Sequence, residues 1–232
     1  MSNEYTGGQR SPERRPLGDI MKKLRDILVG IFAKGKEPFS ITEPFTIIAS
    51  RTAAEICQDF DLQEGAKAHL SEEPTPEQFM ERLVRDNLFS DAVRFLVYAL
   101  PERQAVWWTC LCTRTVPCGD QISVQALQAA EAWAKDPAEN SREAALVAGR
   151  KHNFEMPGAP AAWAAMAAGW SSGAAASTNE DEPAPPEHLT AHAASGAIIL
   201  TATAEPDRAN EVYRKFLETG VQIAQEKMQI SA

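Results

Sequence analysis

Residues 90–112 read Ser90-Asp91-Ala92-Val93-Arg94-Phe95-Leu96-Val97-Tyr98-Ala99-Leu100-Pro101-Glu102-Arg103-Gln104-Ala105-Val106-Trp107-Trp108-Thr109-Cys110-Leu111-Cys112, and this stretch decides the fold. Val93, Leu96, Val97 and Leu100 recur at steps of three and four, which puts them on one face of a helix opened by Ser90. Pro101 has no N–H to donate, so it closes that helix, while its fixed φ suits the first turn of the next. Two helices therefore meet at a sharp corner. The second, from Ala105 to Cys112, is apolar nearly all round, and a helix without a polar face must be enclosed by protein. It is expected to form the centre of a helical core.

The same reading extends in both directions. Upstream, Thr75-Pro76-Glu77-Gln78 is a capping box with proline at the first helical position, followed by the apolar stripe Phe79, Leu83 and Val84. Ser50 can cap a helix through about Phe60, and a short helix follows from Gln63 to Leu70. Ile41 to Ala49 carries Pro44 and β-branched Ile47-Ile48, which suits an extended connector or one short strand. Downstream, Ser123–Lys135 offers Val124, Leu127, Ala130 and Trp133 for burial, and Asn140-Ser141-Arg142-Glu143 caps a helix through Arg150. An alanine-rich helix starts at Pro160, its Trp163, Met166 or Ala167 and Trp170 recurring at helical spacing. Residues 173–187, with Pro183-Ala184-Pro185-Pro186, read as an exposed loop. Thr190 and Pro206-Asp207 begin the last two helices, the second with Tyr213, Phe216, Leu217, Gly220 and Ala224 on one side. The expected fold is all-α: a single domain of about ten short helices in antiparallel pairs. Residues 1–16 read as a disordered tail, 17–36 as a basic amphipathic helix and 37–232 as the helical domain.

Composition narrows the function. The 232 residues hold 23 basic and 32 acidic side chains, a net charge of -9, so no broad positive field draws in nucleic acid. Four cysteines among apolar neighbours, Cys57, Cys110, Cys112 and Cys118, suit reduced core thiols and a cytoplasmic location. Arg14-Arg15 lacks the apolar run an export signal needs, and no apolar run approaches the roughly 20 residues of a spanning helix.

Chemistry-bearing patterns are sparse. Phosphate-binding loops, nucleophile elbows and zinc-protease signatures are absent, so no cofactor, metal or small-molecule ligand is predicted. His188 and His192 are spaced for a shared metal on a helix, but His188 precedes the expected cap Thr190 and no third ligand adjoins. Cys110 and Cys112, two apart on a helix, point about 200° apart and cannot share a metal or a disulfide. The five tryptophans read as core fillers, with one of Trp107 and Trp108 as the exception, because neighbouring helical positions diverge by about 100°.

Charge is distributed unevenly. Residues 1–36 carry eight basic and four acidic side chains, +4, leaving -13 for the rest of the chain. The helix expected from Leu17 to Phe32 presents Leu24, Ile27 and Ile31 on its apolar face. Such a helix can pack on its own acidic body, dock in a partner's groove or lie on an anionic membrane.

The stretch from Ser90 to Cys112 resembles a bacterial family known only as a domain of unknown function. The resemblance continues through Ala129-Ala130-Glu131-Ala132-Trp133, Pro160 to Ser171, Pro185-Pro186-Glu187-His188-Leu189-Thr190-Ala191 and Tyr213-Arg214-Lys215-Phe216-Leu217. It implies a helical, cytoplasmic bacterial protein that accompanies type VI secretion genes, with no catalytic residues to carry over. Because the matching residues serve mainly packing and corners, an adaptor or accessory protein is expected, with no catalytic residues. Its partner-binding residues are expected to be Leu24, Ile27 and Ile31, or a groove lined by Glu102, Arg103, Trp107 and His188 with Thr190. Two other readings stand beside it: an enzyme assembling Glu102, Arg103, His188 or Cys118 on a helical scaffold, and a peripheral membrane protein bound through the first helix.

Overall fold

Side-chain caps set where several helices begin. In the computed structural model, which describes residues 39–48, 51–152, 160–171 and 188–230, Thr75 accepts from the Gln78 N–H while the Gln78 side chain accepts from the Thr75 N–H, the expected capping box. A second box forms between Thr52 and Glu55, so Thr52 caps the helix that the sequence placed behind Ser50. Asp120 caps a third, accepting from the Ser123 N–H.

Ten α-helices stand among the described residues, and no strand. Two short ones, α1 (Ala53–Ile56) and α2 (Glu64–Lys67), each run into a 3-10 turn, at Cys57–Asp59 and Ala68–Leu70. Then follow α3 (Pro76–Arg85), α4 (Phe89–Ala99), α5 (Glu102–Thr113), α6 (Gln121–Lys135), α7 (Glu139–Arg150), α8 (Pro160–Gly169) and α9 (Leu189–Ala202). A 3-10 turn at Pro206–Arg208 leads into α10 (Ala209–Ala224). The fold is the all-α domain the sequence implies, with Pro101 standing at the corner between α4 and α5. Residues 39–48 form bends and irregular backbone without a strand. The expected tail at 1–16, amphipathic helix at 17–36 and loop at 173–187 lie outside the described residues.

The core is centred differently from the expectation. Helix α5 buries Ala105, Val106, Trp108, Thr109, Cys110 and Cys112, yet Trp107 and Leu111 stay half-buried. The most enclosed helix is α8, which packs on α5, α6, α7 and α9 and buries Ala161, Ala162, Ala164, Ala165, Met166, Ala167, Ala168 and Gly169. Small side chains explain this: a helix surrounded on every side needs close backbone approach, which alanine and glycine permit. The tryptophans Trp163 and Trp170, expected as core fillers, are half-buried at its margin with ring centroids 6.5 Å apart.

Two glycines mark the closest approaches. A Cβ at Gly169 would lie 2.7 Å from Cα of Leu146 on α7. One at Gly220 on α10 would lie 2.6 Å from Cζ2 of Trp108 and 2.7 Å from Cδ2 of Leu96. Trp108 is fully buried there and donates its indole N–H to the Phe216 carbonyl at 2.9 Å. Elsewhere the core is aromatic, as where Phe79 of α3 meets Phe95 of α4 edge-on at 4.9 Å.

The connector at 39–48 is held by α3 and by the end of α10. Glu81 accepts the Ile41 N–H at 2.6 Å and Glu77 accepts the Phe45 N–H at 2.8 Å, two carboxylates one turn apart. Thr46 and Ile47 both donate their N–H to the Ala224 carbonyl, at 2.9 and 3.3 Å. The Gln225 amide donates to the Glu43 carbonyl, and Lys227 pairs with the Glu43 side chain at 3.0 Å.

Candidate functional site

The side chains expected to line one groove fall in separate places. Arg103, on the first turn of α5, donates from Nε to the Ala134 carbonyl and from its second nitrogen to the Lys135 carbonyl, each at 2.7 Å. It thereby caps the C-terminus of α6, where the helix dipole and unsatisfied carbonyls favour a cation. Glu102 and Arg103 border a cleft of about 290 Å³ together with Trp133, Glu139, Arg142 and Ser171. Arg142 is almost fully buried, donating to the Gly169 carbonyl at 2.6 Å and to both Glu139 oxygens. Both guanidinium groups thus tie helix ends together, and the cleft reads as a joint of α5, α6, α7 and α8.

Neither Trp107 nor His188 borders that cleft. Trp107 sits half-buried on α5, its indole N–H buried without an acceptor. His188 stands at the N-cap of α9 with φ 67°, in the left-handed region, two residues ahead of the expected cap Thr190. Its ring lies 5.7 Å from that of Tyr98 and its Nε2 is 3.7 Å from Asp59, which Arg51 holds at 2.5 Å. Thr190, expected as the cap, is buried inside the first turn with its hydroxyl unpartnered. Leu24, Ile27 and Ile31 lie outside the described residues.

The thiols are not poised as nucleophiles. Burial pushes Cys57 up to about 12, with Asp91 and Asp59 adding to the effect. Burial likewise raises Cys110 and Cys112, and Cys118 despite the neighbouring Arg114. Among the described residues no three His, Cys, Asp or Glu side chains gather as a metal site, and no helix is long and apolar enough to cross a membrane.

One buried carboxylate stands out. Asp91 on α4 is fully buried, and one of its oxygens has no hydrogen-bond partner. The other faces the Gln63 N–H and an Arg94 nitrogen, both at 3.5 Å. Burial holds its carboxyl above the usual carboxylate range, outweighing Gln63 and Arg94. A raised native value means that the folded chain binds more protons than the unfolded one from about pH 4 upward, so Asp91 contributes stability that is lost as pH rises through its native value. Asp86, Asp120, Glu139 and Glu211, held low by neighbouring donors, act in the opposite sense. The expected result is therefore differential: in urea melts from pH 4 to 7, Asp91→Asn should gain on the parent as pH rises. A constant gap would remove Asp91 as the titrating group.

A further cavity, which no sequence pattern announced, opens where α5, α9 and α10 end or begin. This slot of about 340 Å³ has Leu111, Val116, Val212 and Phe216 among its walls and Glu205, Arg208 and Lys215 on its border. From the N-cap Arg208 into α10 the contributing positions 208, 212, 215, 216 and 219 follow helical spacing, a stripe beside the buried Tyr213, Leu217 and Gly220. The Thr115, Thr201 and Thr219 hydroxyls on its wall donate inward to carbonyls of their own turns, leaving the wall mainly apolar.

The described residues define an all-α domain in which Arg103 and Arg142 close helix ends and one concavity is a mainly apolar slot. The chain belongs to a family of unknown function, DUF6931, whose model matches residues 79–224. The match begins at α3 and spans the slot, and it starts well after the segment at 17–36. A search of curated proteins finds no match, and a search of solved structures finds none.

Proposed function

We propose that this chain is a non-catalytic interaction protein, a cytoplasmic accessory or adaptor of a bacterial secretion apparatus, with type VI secretion as the setting the sequence resemblance suggests. The observation that carries the reading is the separation of segment and domain. The amphipathic, basic stretch at 17–36 lies outside the family-matched residues 79–224, and residues 1–36 differ in charge from the rest of the chain, +4 against -13. A basic amphipathic segment appended to a folded acidic domain suits recognition of a partner's groove through its apolar stripe. Arg103, weighed for an enzyme, is engaged at the C-terminus of α6, and the Cys118 thiol is raised by burial.

The test uses the full chain. Tagged parent protein and the variant Leu24→Glu/Ile27→Glu/Ile31→Glu would be compared as baits in a bacterium that carries the chain, read by mass spectrometry. Secretion components captured by the parent and lost from the variant are the expected result, with both proteins melting alike. Secretion components retained by the variant would sink docking through this segment. Capture of no secretion component by either bait would sink the secretion reading. Sedimentation of the parent with anionic vesicles at low salt, lost in the variant, would move the segment to a membrane role.

A further inference from the structure

We infer that the slot between α5, α9 and α10 binds a small amphiphilic carboxylate, an aliphatic chain ending in one anionic head, anchored by Lys215. The walls fix the body of the ligand. Leu111, Val116, Val212 and Phe216 offer apolar surface, and the wall hydroxyls are already spent on their own backbone carbonyls. A volume of about 340 Å³ lies in the range of small-molecule sites, roughly 300–1,000 Å³.

The border fixes the head. Arg208 at the N-cap of α10 and Lys215 within it both border the slot, about 10 Å apart along the axis. The Arg208 end is neutralised within the slot, because Glu205 borders it too and pairs with Arg208 at 3.2 Å. Lys215 differs. Its carboxylate partner Glu211, at 2.6 Å, is not among the residues of the slot. Glu205, the carboxylate among the slot's residues, pairs with Arg208 and not with Lys215, so an entering carboxylate has to displace only Glu211 from the ammonium. Its pair with Glu211 is solvent-exposed, with side chains 62% and 54% accessible, and such pairs exchange at little cost. An entering carboxylate gains a charge-assisted contact at Lys215 while its chain leaves water along the apolar wall. At the other end Glu205 repels a second anionic group, which selects a single head and orients it.

The test uses the full chain and three probes that share one tail: octanoate, 1-octanol and octylamine, titrated by calorimetry below their aggregation concentrations. Octanoate should bind with saturable one-to-one stoichiometry and more tightly than the other two. Lys215→Met, which keeps the stem and removes the charge at an exposed position, should weaken octanoate about tenfold or more and leave 1-octanol unchanged. Val212→Trp, filling the slot from a half-buried position, should abolish binding of both, with an unchanged circular-dichroism melt showing that the variant folds. Octanoate binding no tighter than octanol, an unchanged affinity in Lys215→Met, or absence of saturable binding would each overturn the assignment. These results are independent of the partner captures, so the slot and the adaptor role stand or fall separately.

Discussion

Trp108→Ala is expected to lower the unfolding free energy by about 3–5 kcal/mol, the range for removing a fully buried large aromatic. Trp108 is 0% exposed and its indole N–H supplies the Phe216 carbonyl with a donor from another element. Removal leaves a cavity between α5, α4 and α10 and strips that donor from a buried carbonyl. The same substitution should change the meaning of Gly220. In the parent, Gly220→Ala drives a methyl to within 2.6 Å of the Trp108 ring and destabilises. In the Trp108→Ala background the ring is gone, and the higher helix propensity of alanine, worth about 1 kcal/mol, should offset what remains of the clash. Chemical denaturation of the four proteins in this cycle measures the coupling, and additive effects would show that the two residues do not press on one another.

Gly169→Val should rank beside it, for a different reason. The closest atom to a Cβ at Gly169 is Cα of Leu146, a backbone atom that no rotamer change moves. Helices α7 and α8 would have to separate, and the Arg142 contact to the Gly169 carbonyl would stretch with them. The expected loss is about 1–3 kcal/mol or more, the cost of overpacking a filled core. Leu146→Ala should fail to rescue it, since the backbone contact remains. Full recovery in the double variant would mean that the pressure comes from the leucine side chain alone.

Much of this fold is legible in residues that act locally. Thr75 with Gln78 and Pro101 after Leu100 each fix a boundary through short-range chemistry, and those boundaries hold. Where two local candidates compete, tertiary geometry decides. Thr52 with Glu55 closes a reciprocal cap at the helix expected to start behind Ser50, and His188 rather than Thr190 stands at the N-cap of α9. Burial of α8 was harder to read, because a helix surrounded on all sides has no amphipathic period, and its two tryptophans mimic a core stripe. That Glu102 and Arg103 share a cleft which Trp107 and His188 do not border has a related reason. Their positions on α5 and α9 do not specify which turn of a third helix each one meets. Arg103 meets the end of α6, whereas His188 meets Asp59 and Tyr98. The slot was invisible because its walls come from three helix ends distant in sequence, and only the α10 stripe carries a periodic trace.

The connector at 39–48 has a consequence for the order of folding. Its contact with Ala224 spans 178 positions in the chain, whereas α7 and α8 meet across a short separation. Closing so long a loop is slow relative to local pairing, so the clasp should form after the helices it joins. During synthesis the acceptor carbonyl leaves the ribosome 178 residues after its donor, and until then the connector's polar ties are those to Glu77 and Glu81. In the mature domain the same clasp, two backbone N–H groups on one carbonyl, should open first. Amide exchange at Thr46 and Ile47 would then report the integrity of a helix end far along the chain.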